Sequence, residues 1–326
     1  MKNYSKLNVL KNAKSVCLLT HMNPDADALC SAIVLRDFLK KNFNISKVDI
    51  FAEGNNLPES YTPILGTVKI NKSIQNYQVA IMLDSPNTDR LGIYKSLFLK
   101  AKTKIVIDHH ATNNFDGDIN FVEIVSSTCE IIYSILKYYK YEISNTNKGK
   151  LYAGIITDTN NFTVGTVTSN TFKIASEFEN HINREAIFNN FLSNNSLKNM
   201  QLLSLAIQNI VTFDHNQIVI SHISHEEAKK YKAEYNDFNG IINRLATINV
   251  ARYICFIYPK DDHYYISMRG RKGADVSSIA KSNGGGGHAG AAAFPSYKQL
   301  KDIEQLILTS FRNENQNFKL LSNKIF

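Results

Sequence analysis

The stretch His21-Met22-Asn23-Pro24-Asp25-Ala26-Asp27 follows the apolar run Val16-Cys17-Leu18-Leu19-Thr20 and opens an amphipathic run from Ala28 to Lys41. A strand that ends in an imidazole and two carboxylates and then feeds a helix marks a site at the carboxyl edge of an α/β sheet. His21, Asp25 and Asp27 lie on one bend, so their side chains can converge. The pattern recurs downstream. Val79-Ala80-Ile81-Met82-Leu83 is continuously apolar and ends at Asp84, Ile105-Val106-Ile107 ends at Asp108-His109-His110, and a helical run from Lys150 to Ile156 delivers Asp158. Near-continuous apolar runs are what strands buried on both faces require. The first half is therefore predicted to be a mostly parallel sheet flanked by helices. Val48 to Ala52 supplies a further strand, followed by a loop with Pro58 and Pro63, and helical spacing runs from Arg90 to Lys100 and from Thr128 to Tyr139.

Any one of these polar groups alone reads more simply as a helix cap or turn residue. Independent capping would not choose metal-ligand side chains at every one of these positions. Together, His21, Asp25, Asp27, Asp84, Asp108, His109, His110 and Asp158 crowd carboxylates along one edge, and such groups repel one another unless cations neutralise them. Mixed imidazole and carboxylate donors suit Mn²⁺, and less strictly Mg²⁺, Fe²⁺, Co²⁺ or Zn²⁺. Two divalent ions about 3.5–4 Å apart are the usual clamp of phosphoryl chemistry. His181, His215, His222, His225 and His263 lie outside the pattern and read as surface or packing residues.

The chain of 326 residues is long enough for two domains, and 44% hydrophobic with 20% charged residues is an ordinary globular composition. A formal charge of +8 favours an anionic partner such as phosphate, nucleotide or nucleic acid, although lysine-rich solvated faces produce the same balance. Cys17, Cys30, Cys129 and Cys255 show no paired spacing, so free thiols in a reducing cytoplasm are expected. No apolar run near the N-terminus approaches the length of a signal peptide or membrane span, so no membrane partner is expected.

The second half changes character. Gln217 to His222, Val250 to Tyr258 and His263 to Arg269 read as strands, Asp275 to Lys281 as a short helix, and a last helix runs from Tyr297 to Phe311 before a loosely held polar tail. The predicted organisation is a catalytic domain over 1–190, a helical linker over 191–210 and a second domain over 211–326. Four glycines precede His288, at more backbone entropy than a plain turn requires. Their use is close approach of backbone N–H groups to a phosphate or sugar, with His288 adding a hydrogen bond or charge; a tight turn is the simpler alternative. Arg269 and Arg271 lie two apart on a strand-like run and would face the same side, either toward a phosphate or toward solvent. Tyr253, Tyr258, Tyr264 or Tyr265 would stack a base, with packing the simpler role for any one of them.

The segments HMNPDAD (21–27), Asp84, Asp108-His109-His110 and Gly154-Ile155-Ile156-Thr157-Asp158-Thr159 resemble, in order and spacing, the four motifs of the DHH phosphoesterases. SMRGR (267–271) and GGGGH (284–288) resemble the DHH-associated C-terminal domain, and the branch most similar is the bifunctional oligoribonucleases (nanoRNases) that also dephosphorylate 3′-phosphoadenosine 5′-phosphate. The resemblance implies a second, smaller α/β domain with a mixed sheet, and a substrate cleft between the domains. It implies two divalent ions, Mn²⁺ first, held by His21, Asp25 and Asp84 and by Asp27, Asp84, His109 and Asp158, with Asp84 shared. It makes Asp108 the group that orients the histidines, His110 the neighbour of the scissile phosphate, and Gly285, Gly286, Gly287, His288, Arg269 and Arg271 the substrate contacts. A water activated between the ions would cleave very short single-stranded RNA to mononucleotides, and 3′-phosphoadenosine 5′-phosphate to AMP. One departure stands out. The family usually has glycine where this chain has Ala293, and the added methyl would tighten or shift the substrate pocket.

A cyclic-dinucleotide phosphodiesterase shares the metal centre, but this chain has no added sensory or membrane segment. A family II inorganic pyrophosphatase would need a lysine- and arginine-rich C-terminal phosphate site in place of GGGGH, and RecJ-type exonucleases are larger. A nucleotide- or RNA-binding protein without activity would not need candidate ligands at all four motifs. A homodimer is compatible with the sequence.

Overall fold

Alternation along each strand builds the first sheet. Strands β1 (Ser15–Leu19), β2 (Lys47–Phe51), β3 (Val79–Leu83), β4 (Thr103–Asp108) and β5 (Ile119–Val122) run parallel in the order β2-β1-β3-β4-β5. Val16, Leu18, Ile81 and Ile107 enter one core, whereas Cys17, Leu19, Met82 and Val106 enter the other. Both faces are thus covered, as the continuous apolar runs predicted. This computed structural model describes residues 3–54, 62, 66, 69–71, 74–163, 166–193 and 196–322, so the predicted loop with Pro58 and Pro63 lies outside the described residues. The chain divides into two compact units, Met1–Asn194 and Asn195–Phe326.

In the first unit, α1 (Ala26–Asn42) carries the chain from β1 to β2, and β3 then pairs on the other side of β1. Strand order therefore reverses between β1 and β3, which leaves a crevice at their carboxyl ends where α/β sheets bind ligands. The helix predicted over Arg90 to Lys100 is broken. A 3₁₀ segment, Thr88–Tyr94, contains Gly92 at φ 57°, and only Lys95–Lys100 (α2) is α-helical. After β5 come α3 (Thr128–Tyr138), α4 (Asn145–Asp158), α5 (Ser169–Glu179) and α6 (Arg184–Phe191), with α3 and α4 packed on α1. Strand β5 is absent from the sequence reading, because its four residues are largely half-exposed and include a polar Asn120.

The second unit has a mixed sheet in the order β10-β11-β9-β8-β7-β6, in which only β7 with β8 is parallel. Its strands are β6 (Val211–Phe213), β7 (Ile218–His222), β8 (Tyr253–Lys260), β9 (His263–Gly270), β10 (Gly286–His288) and β11 (Ala291–Ser296). Helix α7 (Leu197–Gln208), within the stretch expected to be a linker, buries Leu202 and Ala206 with Val219, Ile254 and Phe256 on one face of this sheet. Short helices α8 (His225–Lys230), α9 (Ile241–Leu245) and α10 (Ser277–Ser282) fill the connections. Helix α11 (Leu300–Ser322) covers the other face with Ile303, Ile307 and Phe311. It starts three residues later than predicted and stays helical through the tail expected to be loose. Among the described residues no helix is long and apolar enough to cross a membrane, and all four cysteines are buried and free.

Gly154 shows how closely α4 approaches the site. A Cβ there would overlap Cys129 Sγ and come 2.8 Å from Asp27 Oδ1. Glycine to alanine within a helix ordinarily gains up to about 1 kcal/mol. Here the overlap reverses the sign, and Gly154→Ala is expected to lose about 1–3 kcal/mol in urea unfolding; a gain would show that α4 does not press on Asp27.

Candidate metal centre

The crevice between β1 and β3 is lined by side chains from or just beyond β1, α1, β3, β4, α3 and α4. His21 follows β1 and Asp25 caps α1, its Oδ1 accepting from the Ala28 N–H at 3.0 Å. Asp27, in the first turn of α1, is fully buried. Its Oδ2 accepts from the Thr128 N–H at 2.7 Å and its Oδ1 from the Cys129 N–H at 2.9 Å. These are unsatisfied donors of the α3 N-terminus, where the helix dipole favours a negative charge. Asp84 leaves β3 in the left-handed region at φ 53°, a conformation that Asp tolerates better than most residues, while its N–H still bonds Ile107 O at 3.0 Å. Thr128 Oγ1 donates to Asp84 Oδ1 at 2.9 Å. The cap of α3 is Ser127, whose side chain accepts from the Glu130 N–H, which leaves the Thr128 hydroxyl for the site. Asp158 is the last residue of α4, the helix expected to deliver it.

The histidines are held by their Nδ1 atoms. His21 Nδ1 lies 2.9 Å from Met22 O and His109 Nδ1 3.2 Å from Val125 O. A carbonyl only accepts, so each ring carries its proton on Nδ1, and in the neutral ring Nε2 offers a lone pair. His21 Nε2 lies 3.7 Å from Asp84 Oδ2 and 3.9 Å from Asp25 Oδ2, and His109 Nε2 lies 3.4 Å from both Asp84 Oδ1 and Asp158 Oδ2. His110 differs, because its Nδ1 meets Asp108 Oδ1 at 2.7 Å. The other Asp108 oxygen accepts from Asn113 Nδ2 at 2.6 Å, and Asn113 also donates to Ser85 O. Sequence reasoning missed Asn113, since an asparagine five residues after the strand carries no periodic signal.

Donor atoms within 4.8 Å of one another form three sets: His21, Asp25 and Asp84; Asp27, His109 and Asp158; and Asp84, His109 and His110. Burial pushes Asp27 well above the ordinary carboxylate pKa, and Asp84, Asp158 and Asp25 push it further. Asp84 is raised by burial and by Asp25 against the opposing pull of the histidines. Asp158 is raised to about 6, by burial first, with His109 opposing and Asp84 adding. Burial alone would raise Asp108 too, but its hydrogen bond to His110 and the charge of that ring hold it below the ordinary value. Burial disfavours charge on His109 and His110, yet their carboxylate neighbours outweigh it and raise both. The site thus concentrates negative charge that it cannot balance, around two oriented nitrogen lone pairs. That donor set fits divalent ions of the Mn²⁺ type.

In the second unit, Arg269 lies on β9 and donates from Nε and Nη2 to Asn243 Oδ1 and from Nη1 to Met268 O. Arg271 lies beyond the strand end, and its Nη1 donates to Ala246 O at 2.9 Å and Ile248 O at 3.0 Å. Both arginines thus reach the 243–248 segment, and Arg271 clamps its 246–248 turn. Gly285 and Gly287 have steric reasons to be glycine. A Cβ on Gly285 would overlap Ala293 O and Phe294, and Gly287 sits at φ 141° against Ala291 O. His288 is placed by its backbone, in register with Ala291; its side chain lies outside the described residues. Tyr253 is buried and stacks on Phe311, which removes it from the candidate base platforms, and the Tyr264 ring lies against His225.

Comparison with known proteins matches residues 15–158 to the DHH family N-terminal domain and residues 215–312 to the DHHA1 domain. A probable bifunctional oligoribonuclease and PAP phosphatase NrnA of Streptococcus mutans serotype c is 28% identical over 301 residues, covering 91% of this chain and 94% of that protein. The bifunctional oligoribonuclease and PAP phosphatase NrnA of Bacillus subtilis is 25% identical over 302 residues, covering 90% and 94%. The crystal structure of an exopolyphosphatase-related protein from Bacteroides fragilis shares the fold, with a TM-score of 0.89 at 20% identity over 97% of each chain. With both domain models matched in order and the motif residues gathered at one sheet edge, the chain belongs to the DHH family and carries a DHHA1 domain in its second half.

Proposed function

We propose that this protein is a divalent-metal-dependent phosphoesterase that hydrolyses very short oligoribonucleotides to mononucleotides and 3′-phosphoadenosine 5′-phosphate to AMP. The observation that carries the reading is the convergence of two fixed Nε2 lone pairs with Asp25, Asp27, Asp84 and Asp158 in one crevice. The substrate class is supported by relatives named oligoribonuclease and PAP phosphatase along nearly their whole length. His21, Asp25 and Asp84 would hold one ion, and Asp27, Asp84, His109 and Asp158 the other. Bound ions would supply charge neutralisation, polarisation of the phosphoryl group and a water of lowered pKa.

The chain's own groups do the rest. The α3 N-terminus and Thr128 fix Asp27 and Asp84, and backbone carbonyls fix the tautomers of His21 and His109, so the donors are set before substrate arrives. Asp108, locked by Asn113, keeps His110 protonated on Nδ1 and raises its pKa, so the ring presents Nε2–H as a charge stabiliser and proton donor. As water oxygen bonds to phosphorus, the phosphorus–oxygen bond to the leaving ribose breaks, and His110 supplies the proton that this oxygen takes up. Arg269, the Gly-rich strand and His288 would bind the part of the substrate that does not react.

A Mn²⁺-supplemented panel of di- to pentaribonucleotides, 3′-phosphoadenosine 5′-phosphate, cyclic dinucleotides and pyrophosphate tests the substrate class. Turnover of the first two groups is expected; exclusive cleavage of pyrophosphate or cyclic dinucleotides would reject it. Asp84→Asn is expected to fold, by circular dichroism, yet lose at least about 100-fold in kcat/KM and in metal affinity. Near-normal turnover would rule out the shared-ligand role.

Metal removal has a pH signature. Without ions, Asp27, Asp84, Asp158, His109 and His110 hold protons more tightly folded than unfolded, and among the site's groups Asp108 opposes them. Stability of the metal-free protein should therefore fall as pH rises from the ordinary carboxylate range through about 6, where Asp158 titrates, and past the ordinary imidazole value. Mn²⁺ competes with those protons, so it should raise Tm by several degrees more at pH 8 than at pH 5. Equal shifts at both pH values would contradict this charge balance.

A further inference from the structure

The segment from Val125 to Cys129 touches a member of every donor set. Val125 O accepts from His109 Nδ1, the Thr128 and Cys129 N–H groups donate to Asp27, and Thr128 Oγ1 donates to Asp84 Oδ1. Within this strap the Ser126 hydroxyl serves a different partner. Its side chain is fully buried and donates to Glu130 Oε2.

Glu130 is 2% exposed, and among the described residues no cation pairs with it. Its partners are neutral donors. Beside Ser126 Oγ, Oε2 accepts from Thr171 Oγ1 at 3.0 Å, and Oε1 accepts from Asn170 Nδ2 at 2.7 Å. Burying a carboxylate is costly unless donors replace the water it loses. Three charge-assisted hydrogen bonds do so here, where the positive ends of two helices meet: Glu130 lies in the first turn of α3, and Asn170 and Thr171 lie in the first turn of α5. A buried ion is still a weak device for stability alone, because a well-packed apolar residue often serves as well. What the carboxylate adds is a fixed junction between two segments.

Both segments lead to the metal centre. On one side is the strap. On the other, Thr171 Oγ1 accepts from the Thr168 N–H while it donates to Glu130, and Thr168 caps α5 in return. The chain reaches Thr168 directly from Asp158, the last residue of α4. Glu130 itself belongs to none of the donor sets.

We infer that Glu130 is a positioning residue of the metal centre, whose carboxylate locks the 125–129 strap to the capping box of α5 and so holds Asp27, Asp84 and His109 in register before an ion arrives. The inference rests on the metal-dependent reading of the site. It adds a residue that the donor sets do not contain.

Full-length protein stripped of metal is titrated with Mn²⁺, followed by calorimetry and by the paramagnetic resonance of the free ion. Glu130→Ala is expected to lose about 10–100-fold in Mn²⁺ affinity, the usual cost of removing a partner that orients ligands. Glu130→Gln keeps an acceptor oxygen for the two hydroxyls, and Asn170 can turn its own oxygen to the new amide, so most of the affinity should return. Ser126→Ala cuts the strap side alone; it is expected to keep its circular dichroism spectrum and lose about tenfold, and it decides the matter if Glu130→Ala fails to fold. Tyr133→Phe is the control. It removes another bond between α3 and α5, from Tyr133 Oη to Glu177 at 2.7 Å, and should leave Mn²⁺ affinity unchanged while lowering Tm. Unchanged affinity in Ser126→Ala overturns the inference, as does an equal loss in Tyr133→Phe or a loss in Glu130→Gln as large as in Glu130→Ala. Failure of the unaltered protein to bind Mn²⁺ would instead reject the metal-dependent reading, and the inference with it.

Discussion

Repulsion among Asp25, Asp27, Asp84 and Asp158 at the carboxyl ends of β1 and β3 is the constraint on which the first unit depends. A sheet covered on both faces has only its edges and strand ends open, and the reversal of strand order beside β1 opens a crevice at one of those ends. Everything around the crevice then serves to hold anions together. The α3 N-terminus faces Asp27, Thr128 reaches Asp84, and the absence of a side chain at Gly154 lets α4 close behind them. Such an arrangement stores electrostatic stress that divalent cations relieve, which is why the geometry and the chemistry point the same way.

The second unit presents the complementary problem. Where the first gathers carboxylates short of cations, the second buries a guanidinium short of an anion, beside a cavity floored by alanines, a serine and a glycine.

Much of this was legible in the chain. The runs ending at His21, Asp84 and Asp108 are apolar at every position, and only a strand buried on both faces tolerates that, so strand, direction and site edge came together. Asp158 was read at the end of a helical run, and it is the last residue of α4. β5 and β6 went unread, being short and largely exposed, with too few positions for periodicity to register. Helix α7 passed for a linker because just two of its side chains, Leu202 and Ala206, are buried. The helix over 90–100 failed at Gly92, whose left-handed backbone no spacing rule anticipates.

By itself, the sequence determined the parallel sheet of the first half, the family and the candidate donors, because residue type, order and local period are properties of the chain alone. The tertiary structure decided which donors share a neighbourhood, which nitrogen each imidazole offers, and which partners hold Asp27, Asp84 and Asp108 in place. It separated Gly286, with open space where its Cβ would lie, from the crowded Gly285 and Gly287, although the three look equivalent in the sequence. Those distinctions rest on what a side chain, or the space where one is missing, faces across the fold. Contacts between residues about 100 positions apart, such as Thr128 with Asp27, exist only once the strands have paired and the helices have packed.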